Sequence, residues 1–435
     1  MQTLFRRKVP AAPKPAKPKV SPKKKKWERN SRSAHQFISF YILNFFVFKS
    51  FSVFILRGNM TKNPVIFRDN RLPLNVIIRS TELCNFACDY CYNDEERYKE
   101  KMSSDTLENT LNFLSKFDSD IHIIWHGGEP LFMGADFYER AIEIEKDVFP
   151  KNREIKNSMQ TNASLLTENN IDFFHNENFR MGLSLDGPRK INDMQRKYPD
   201  GSGTFDDVWE GISLVKDRFG YAGVISVITR NNLKKMPEIY EFFRSSGIGG
   251  MKINPFYADG RGAVNNGKLS IEPREFGIEC TKVFDLWYGS QEKEIEITTF
   301  KHYINKILSP LSCSSCTFSR NCVEDFISIN PRGEIYPCGR FNNEDSFILG
   351  DVRSSTPEEI FSNKTFETFK NRPYKIDKCS KCDILEYCNG GCASNAYIYE
   401  GNVFSPDHFC ESYKIIFGHI KGEIEKDLKK AGALI

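Results

Sequence analysis

The chain begins without an export signal: Met1 leads into a basic, proline-rich run instead of a short basic region followed by an apolar core. That absence argues against a disulfide framework, so the thirteen cysteines read as metal ligands or redox groups. A basic surplus is missing from most of the chain as well. Residues 1–59 hold fourteen Lys or Arg against one acid, Glu28, which leaves the remaining 376 residues near −9 in an overall balance of +4. A body of that charge offers no polyanion-binding surface, and no nucleic-acid partner is expected. Cysteine is scarce in the middle of the chain. Between Cys91 and Cys313 there is only Cys280, which reads as a small core residue on a helix.

What is present falls into distinct zones. Residues 1–35 are low-complexity and rich in Pro and Lys, an expected disordered arm. Residues 37–56, "FISFYILNFFVFKSFSVFIL", are long enough for a membrane-spanning helix with its basic flank inside, but Asn44 and Lys49 interrupt them. The competing reading starts the protein at Met60 and makes residues 1–59 a dispensable extension. We adopt that reading, and with it a cytoplasmic protein whose only route to a membrane is a genuine anchor at 37–56.

From about residue 72 strand-like and helix-like patterns alternate. "LNVIIRST", "DIHIIWHGGEP", "IKNSMQTN", "RMGLSLDG", "GVISVIT" and "GMKINPF" read as six strands, separated by five helices near 104–117, 135–149, 167–175, 205–219 and 236–246. Such alternation implies βαβ units, a parallel sheet and functional residues at the C-terminal strand ends. The expected fold is α/β, a partial (β/α)6 barrel of the TIM type, followed by a cysteine-rich tail. In that tail only a hairpin-like "FISINPRGEIYPC" and a final helix near 412–431 stand out. So little apolar core is visible there that metal is expected to hold it.

The chemistry starts in "STELCNFACDYCYN", where Cys84, Cys88 and Cys91 stand within eight positions. A four-iron cluster wants four thiolates, so three leave one iron open to chelate a small molecule. On spacing alone, a three-cysteine zinc site or a set of reactive thiols is the lesser alternative.

Cx3CxxC after a first strand, with Tyr90 before the third cysteine, resembles the radical S-adenosylmethionine (SAM) superfamily. The resemblance implies that the open iron binds the methionine amino and carboxylate groups of SAM, and that an electron from the cluster releases a 5′-deoxyadenosyl radical which takes a substrate hydrogen. It carries over to Gly127, Gly128, Glu129 and Pro130 in "WHGGEPLF" as the element facing the SAM amino group, with His126 as a further polar contact. In "GLSLDGP" and "INDMQRKYPDG", Ser184 and Arg196 match a pair that holds the SAM carboxylate, a role suited to a guanidinium fork. Tyr90 is placed near the adenine or the cluster. Gln160, Thr161 and Asn162 end the third strand with no assigned role.

The tail reads Cys322-x10-Gly333-x4-Cys338, then Cys379-x2-Cys382-x5-Cys388-x3-Cys392, and Cys410 after a further seventeen residues. This is similar to the SPASM domain of radical SAM peptide-modifying enzymes. The resemblance implies two auxiliary clusters, one on Cys316, Cys322, Cys338 and Cys392 and one on Cys379, Cys382, Cys388 and Cys410, hence three [4Fe-4S] clusters with SAM. Cys313 competes with Cys316, and a zinc ribbon is the bland reading of the second group. The implied domains are 60–305 for the barrel, 306–415 for the SPASM segment and 416–435 for a terminal helix and tail.

Two peptide-modifying branches share this layout. Anaerobic sulfatase maturases, which oxidise Cys or Ser to formylglycine, carry an aspartate base directly after the cysteine equivalent to Cys338; here Gly339 stands there, and no other general base declares itself. The expectation is therefore a maturase of ribosomally made peptides that forms a side-chain cross-link, a carbon–carbon cyclophane in particular, with formylglycine formation as the alternative. The expected partners are a precursor peptide and an external electron donor of flavodoxin or ferredoxin type. No leader-binding domain is visible before Cys84. A membrane-tethered electron-transfer module is the rival of another class, and an intact SAM pocket argues against it.

Overall fold

The computed structural model describes residues 73–432 except 94–98, 291–294, 312–314, 321 and 371. The extension 1–59, the 37–56 segment and Cys313 lie outside the described residues. Strands β1 (Leu74–Thr81), β2 (Ile121–Gly127), β3 (Ile155–Thr161), β4 (Arg180–Ser184), β5 (Gly223–Ile228) and β6 (Gly250–Pro255) pair in chain order, all parallel. Helices α1 (Ser104–Ser115), α2 (Ala135–Val148), α3 (Glu168–Asn176), α4 (Phe205–Phe219) and α5 (Met236–Ser245) connect them. The six strands and five helices expected from the sequence are all present, as a partial barrel.

Side-chain alternation explains the layering. In β2, Ile121, Ile123 and Trp125 are buried on the helix side, where Trp125 meets Phe137 and Tyr138 edge-on at 6.0 and 5.3 Å. The other set, His122, Ile124 and His126, is only half-buried and faces the lumen. Tyr138 and Phe174 are fully buried in the shell, each contributing roughly 2–3 kcal/mol of apolar burial. Local chemistry sets the helix ends: Ser103 caps α1 by accepting from the Thr106 amide, and Thr167 with Asn170 forms a capping box on α3.

The sheet does not stop at six strands. After α6 (Pro273–Gly289), β7 (Glu296–Ile297) extends it beside β6, and α7 (Thr298–Leu308) follows. At the other edge β8 (Phe326–Ile329) pairs parallel with β1 and antiparallel with β9 (Glu334–Tyr336), which in turn pairs with β10 (Gly350–Asp351). The hairpin seen in the tail sequence is thus part of the barrel sheet. Among the described residues no helix is long and apolar enough to cross a membrane.

One expectation is corrected here. The tail has an apolar core of its own, built from dispersed aromatic rings that show no period in sequence. Phe341 lies 4.3 Å from Phe347 and 5.2 Å from Phe369, and Phe347 packs 4.9 Å from Tyr397 on α8 (Ala393–Glu400). Phe417 of α9 (Cys410–Lys430) stands 4.6 Å from Tyr303 and 5.2 Å from Phe318. Helix α9 also docks on α6, where Tyr288 donates to Asp427 at 2.7 Å.

Candidate active site

The loop carrying Cys84, Cys88 and Cys91 follows β1 and is laced to the strand ends around it. Ala87 and Asp89 amides donate to the carbonyls of Lys197 (2.6 Å) and Gln195 (2.8 Å), the Gly262 amide donates to Cys91 O (2.9 Å), and Glu129 N donates to Leu83 O (2.7 Å). The two glycines after β2 are needed for that approach. A Cβ on Gly128 would stand 2.1 Å from Leu83 O, and one on Gly127, at φ +123°, would stand 2.3 Å from Thr81 O. Glu129 is buried and its oxygens are committed within the fold. They accept from Thr161 Oγ1 (2.6 Å), the Leu131 amide (3.0 Å) and the Asn162 amide (2.7 Å). Burial still raises its pKa above the ordinary carboxylate value against those three donors. Thr161 and Asn162 thereby gain a role that the sequence did not assign, and Asn162 Nδ2 also reaches Cys84 Sγ at 3.8 Å.

Arg196 is buried and donates from Nη1 to the Tyr90 hydroxyl at 2.7 Å. That phenol also bonds to the carboxylate of Asp186, so it is tied into a network beside the thiol loop. Asp186 accepts from Gln195 Nε2 (2.9 Å) and the Val227 amide (2.9 Å). Arg196 Nε, however, is buried with no hydrogen-bond partner. An orphaned guanidinium donor beside a thiol loop is the signature of a missing anionic ligand, and a carboxylate fits it. Ser184 lies at the end of β4 and accepts from Gln160 Nε2 at 3.0 Å; no bond joins it directly to Arg196. His126 Nδ1 accepts from the Gly127 amide at 2.8 Å and lies 3.4 Å from the Tyr92 hydroxyl. Burial, helped by Arg79, pushes its pKa down to about 4. A neutral ring with an occupied Nδ1 keeps its proton on Nε2, so His126 can donate there but cannot act as a base.

Sequence reading missed Arg79, which donates to Glu82 Oε1 at 2.7 Å and Asn93 Oδ1 at 2.9 Å, while Asn93 holds Gly127 O at 3.0 Å. These bonds join the loop's exit to the two-glycine turn. Asp186 was visible only as a letter in "SLDGP".

All twelve described cysteines are free. Within the tail they form two electrostatic neighbourhoods. Burial raises the Cys322 thiol, and Cys316, Cys392 and Cys338 raise it further. In the same way burial, then Cys379, Cys410 and Cys382, push Cys388 up to about 12. These neighbourhoods group the same residues as the two quartets that the resemblance implies. Among the described residues no three His, Cys, Asp or Glu side chains converge as ligands of a single metal ion. Around the quartets, buried Arg372 donates to Gly390 O (3.1 Å), Gly391 O (2.8 Å) and Ser405 O (2.9 Å), and Asp407 accepts from the amides of Cys392 (2.6 Å) and Phe409 (2.7 Å).

Residues 78–243 match the Radical SAM superfamily, and residues 321–383 match the SPASM iron–sulfur cluster-binding domain. The chain is a radical SAM enzyme with a SPASM domain. This radical SAM enzyme is 29% identical over 360 residues to a cysteine-type anaerobic sulfatase-maturating enzyme of Clostridium perfringens, covering 79% of this chain and 95% of that one. It is 28% identical over 374 residues to a serine-type enzyme of Bacteroides thetaiotaomicron, covering 80% and 89%. The structure of native anSMEcpe with bound AdoMet superposes with a TM-score of 0.74 at 25% identity, over 82% of this chain and 100% of that one. Streptococcus suis SuiB bound to its precursor peptide SuiA shares the fold at a TM-score of 0.55 and 16% identity, over 87% and 89%. SAM and [4Fe-4S] clusters are accordingly the cofactors of this radical SAM enzyme.

Proposed function

We propose that this enzyme oxidises the β-carbon of a cysteine or serine in a peptide substrate, the reaction type of the sulfatase-maturating enzymes. The observation that carries the reading is the likeness to cysteine- and serine-type maturases, which covers about four-fifths of the chain. The sequence alone favours a cyclophane cross-link because of Gly339; none of the relatives described supports that bond, and formylglycine formation fits them better.

In this reading Cys84, Cys88 and Cys91 hold the SAM-binding cluster. The quartets Cys316, Cys322, Cys338, Cys392 and Cys379, Cys382, Cys388, Cys410 hold the auxiliary ones. Arg196 offers its free Nε, and Ser184 its hydroxyl, to the SAM carboxylate. The Gly127-Gly128 backbone, fastened by Glu129, faces the amino group, and His126 Nε2 donates a hydrogen bond into the lumen. Tyr90 fixes the Arg196 fork by accepting one of its protons. The bound cofactors supply the reducing electron and a hydrogen-abstracting radical. An external donor of flavodoxin or ferredoxin type supplies electrons, and the peptide enters at the C-terminal strand ends.

The test uses anaerobically reconstituted enzyme, SAM, dithionite and two synthetic peptides, the Cp18Cys peptide and its serine counterpart. Release of 5′-deoxyadenosine with a hydrazide-reactive aldehyde on either peptide is the expected result. A product two hydrogens lighter with a fragmentation-resistant segment, or no 5′-deoxyadenosine, overturns the reading.

A further inference from the structure

Arg340 occupies an unusual electrostatic position. Its guanidinium stacks over the Tyr257 ring at 4.4 Å and donates from Nη1 to Asn395 Oδ1 at 2.8 Å, while its own amide donates to Cys338 Sγ at 3.3 Å. Tyr257 is in turn held by the Ser394 hydroxyl at the start of α8. Among the described residues no carboxylate lies in ion-pair range of this guanidinium. The nearest acid in the network, Asp407, is one residue removed: Asn395 Nδ2 donates to both of its oxygens at 3.1 Å, and those oxygens also hold the Cys392 amide and the Tyr413 hydroxyl. Asn395 thus acts as a neutral spacer between cation and anion. Burial alone would lower the Arg340 pKa, yet Cys392, Tyr257, Cys338 and Cys316 hold it above the usual range. A half-buried cation without a counter-carboxylate is costly unless another negative charge faces it. Three cysteines of one quartet, Cys392, Cys338 and Cys316, are near enough to act on it and would carry that charge as cluster ligands, and the preceding residue, Gly339, carries no charge of its own.

We infer that Arg340 is the residue that sets the reduction potential of the first auxiliary cluster, raising it so that the cluster accepts an electron from the substrate side. A fixed positive charge stabilises the more negative, reduced form of a cluster, and the amide-to-sulfur bond acts in the same direction. The cations that act on the second quartet are others, Arg372 and Lys414, so the effect of Arg340 is confined to the first. This inference rests on the proposed reading that Cys316, Cys322, Cys338 and Cys392 ligate a cluster.

The experiment is an anaerobic redox titration of the holoenzyme followed by electron paramagnetic resonance, with iron counted on each sample, for wild type, Arg340→Gln and Arg340→Lys. One auxiliary transition moves to lower potential in Arg340→Gln, stays near wild type in Arg340→Lys, and the other transitions do not move. Iron lost from Arg340→Gln but retained by Arg340→Lys supports the same charge compensation. Identical titrations of wild type and fully loaded Arg340→Gln overturn it, as does an equal shift or equal iron loss in both variants, which would make Arg340 a packing strut. Wild-type protein with iron for fewer than three clusters would instead refute the ligand assignment.

Discussion

Position 339 offers a decisive perturbation, Gly339→Asp. Gly339 is buried, and a Cβ there would stand 3.4 Å from Ile77 Cδ1, 3.5 Å from Ile77 Cγ2 and 3.7 Å from Ser328 Oγ. Those are ordinary contacts, so a side chain fits without moving the backbone. Ser328 Oγ is buried with no partner, and it can donate to the new carboxylate. Satisfying that hydroxyl is worth about 1 kcal/mol. The apolar flank of Ile77 favours the protonated acid, whereas Arg340 next door favours the anion, which keeps the group within the range useful for a base. A positioned general base contributes about 10²–10⁴-fold, or roughly 3–5 kcal/mol of barrier. If proton removal limits β-carbon oxidation in the natural protein, Gly339→Asp raises the rate of aldehyde formation by at least the lower figure. The assay is hydrazide capture with mass spectrometry on the cysteine and serine peptides. A variant with full iron, unchanged SAM cleavage and no gain in aldehyde would refute the reasoning.

Other expectations follow from the same contacts. Arg196→Lys keeps the charge but not the fork, so SAM binding measured by calorimetry weakens at least tenfold while iron content is unchanged. Gly128→Ala drives a methyl into Leu83 O and costs the iron of one cluster, whereas Gly418→Ala, with nothing within 4 Å of its Cβ, retains it. Glu145 is buried, accepts from Asn157 Nδ2 at 2.9 Å, leaves Oε1 unpaired, and is pushed up to about 7 by burial. Its native form therefore holds a proton that the unfolded chain releases near the ordinary carboxylate value, so stability falls as pH rises through that window to 7. Glu145→Gln should accordingly stabilise the protein by about 2–3 kcal/mol at pH 8 and by little at pH 4, read from denaturant midpoints. Chelation of iron should leave most of the helical circular dichroism of α9 intact, because Phe417 is packed on Tyr303 and Phe318.

The barrel was legible because its signals are local. Strand alternation in "LNVIIRST" and "DIHIIWHG" and cap residues such as Ser103 act within a few positions of one another. The thiol loop was legible for the same reason. The remainder depends on contacts across long separations. Asn75 holds Asp325 O at 3.2 Å across 250 positions, beside the β1–β8 pairing, and no period in either segment announces it. Tyr90 meets Arg196 across 106 positions, and Arg340 meets Asn395 across 55. The tail core was misread because Phe318, Phe341, Phe347, Phe369 and Phe417 are too far apart to form a pattern. Gly339 was visible as a letter after Cys338, but the wall it belongs to, with Ile77 and Ser328, became visible only in three dimensions.

The hairpin β8–β9 has a consequence for how such enzymes diversify. It fills the edge of the barrel beside β1, and within a few residues it delivers both Cys338 and the lumen-facing Gly339. Exchanging the tail of this protein for that of a relative would therefore replace one wall beside β1 together with the cysteines proposed to hold the auxiliary clusters. New substrates and new redox properties would be inherited as a single package, and a chimera joined at the end of α7 would take its chemistry from the donor of the tail.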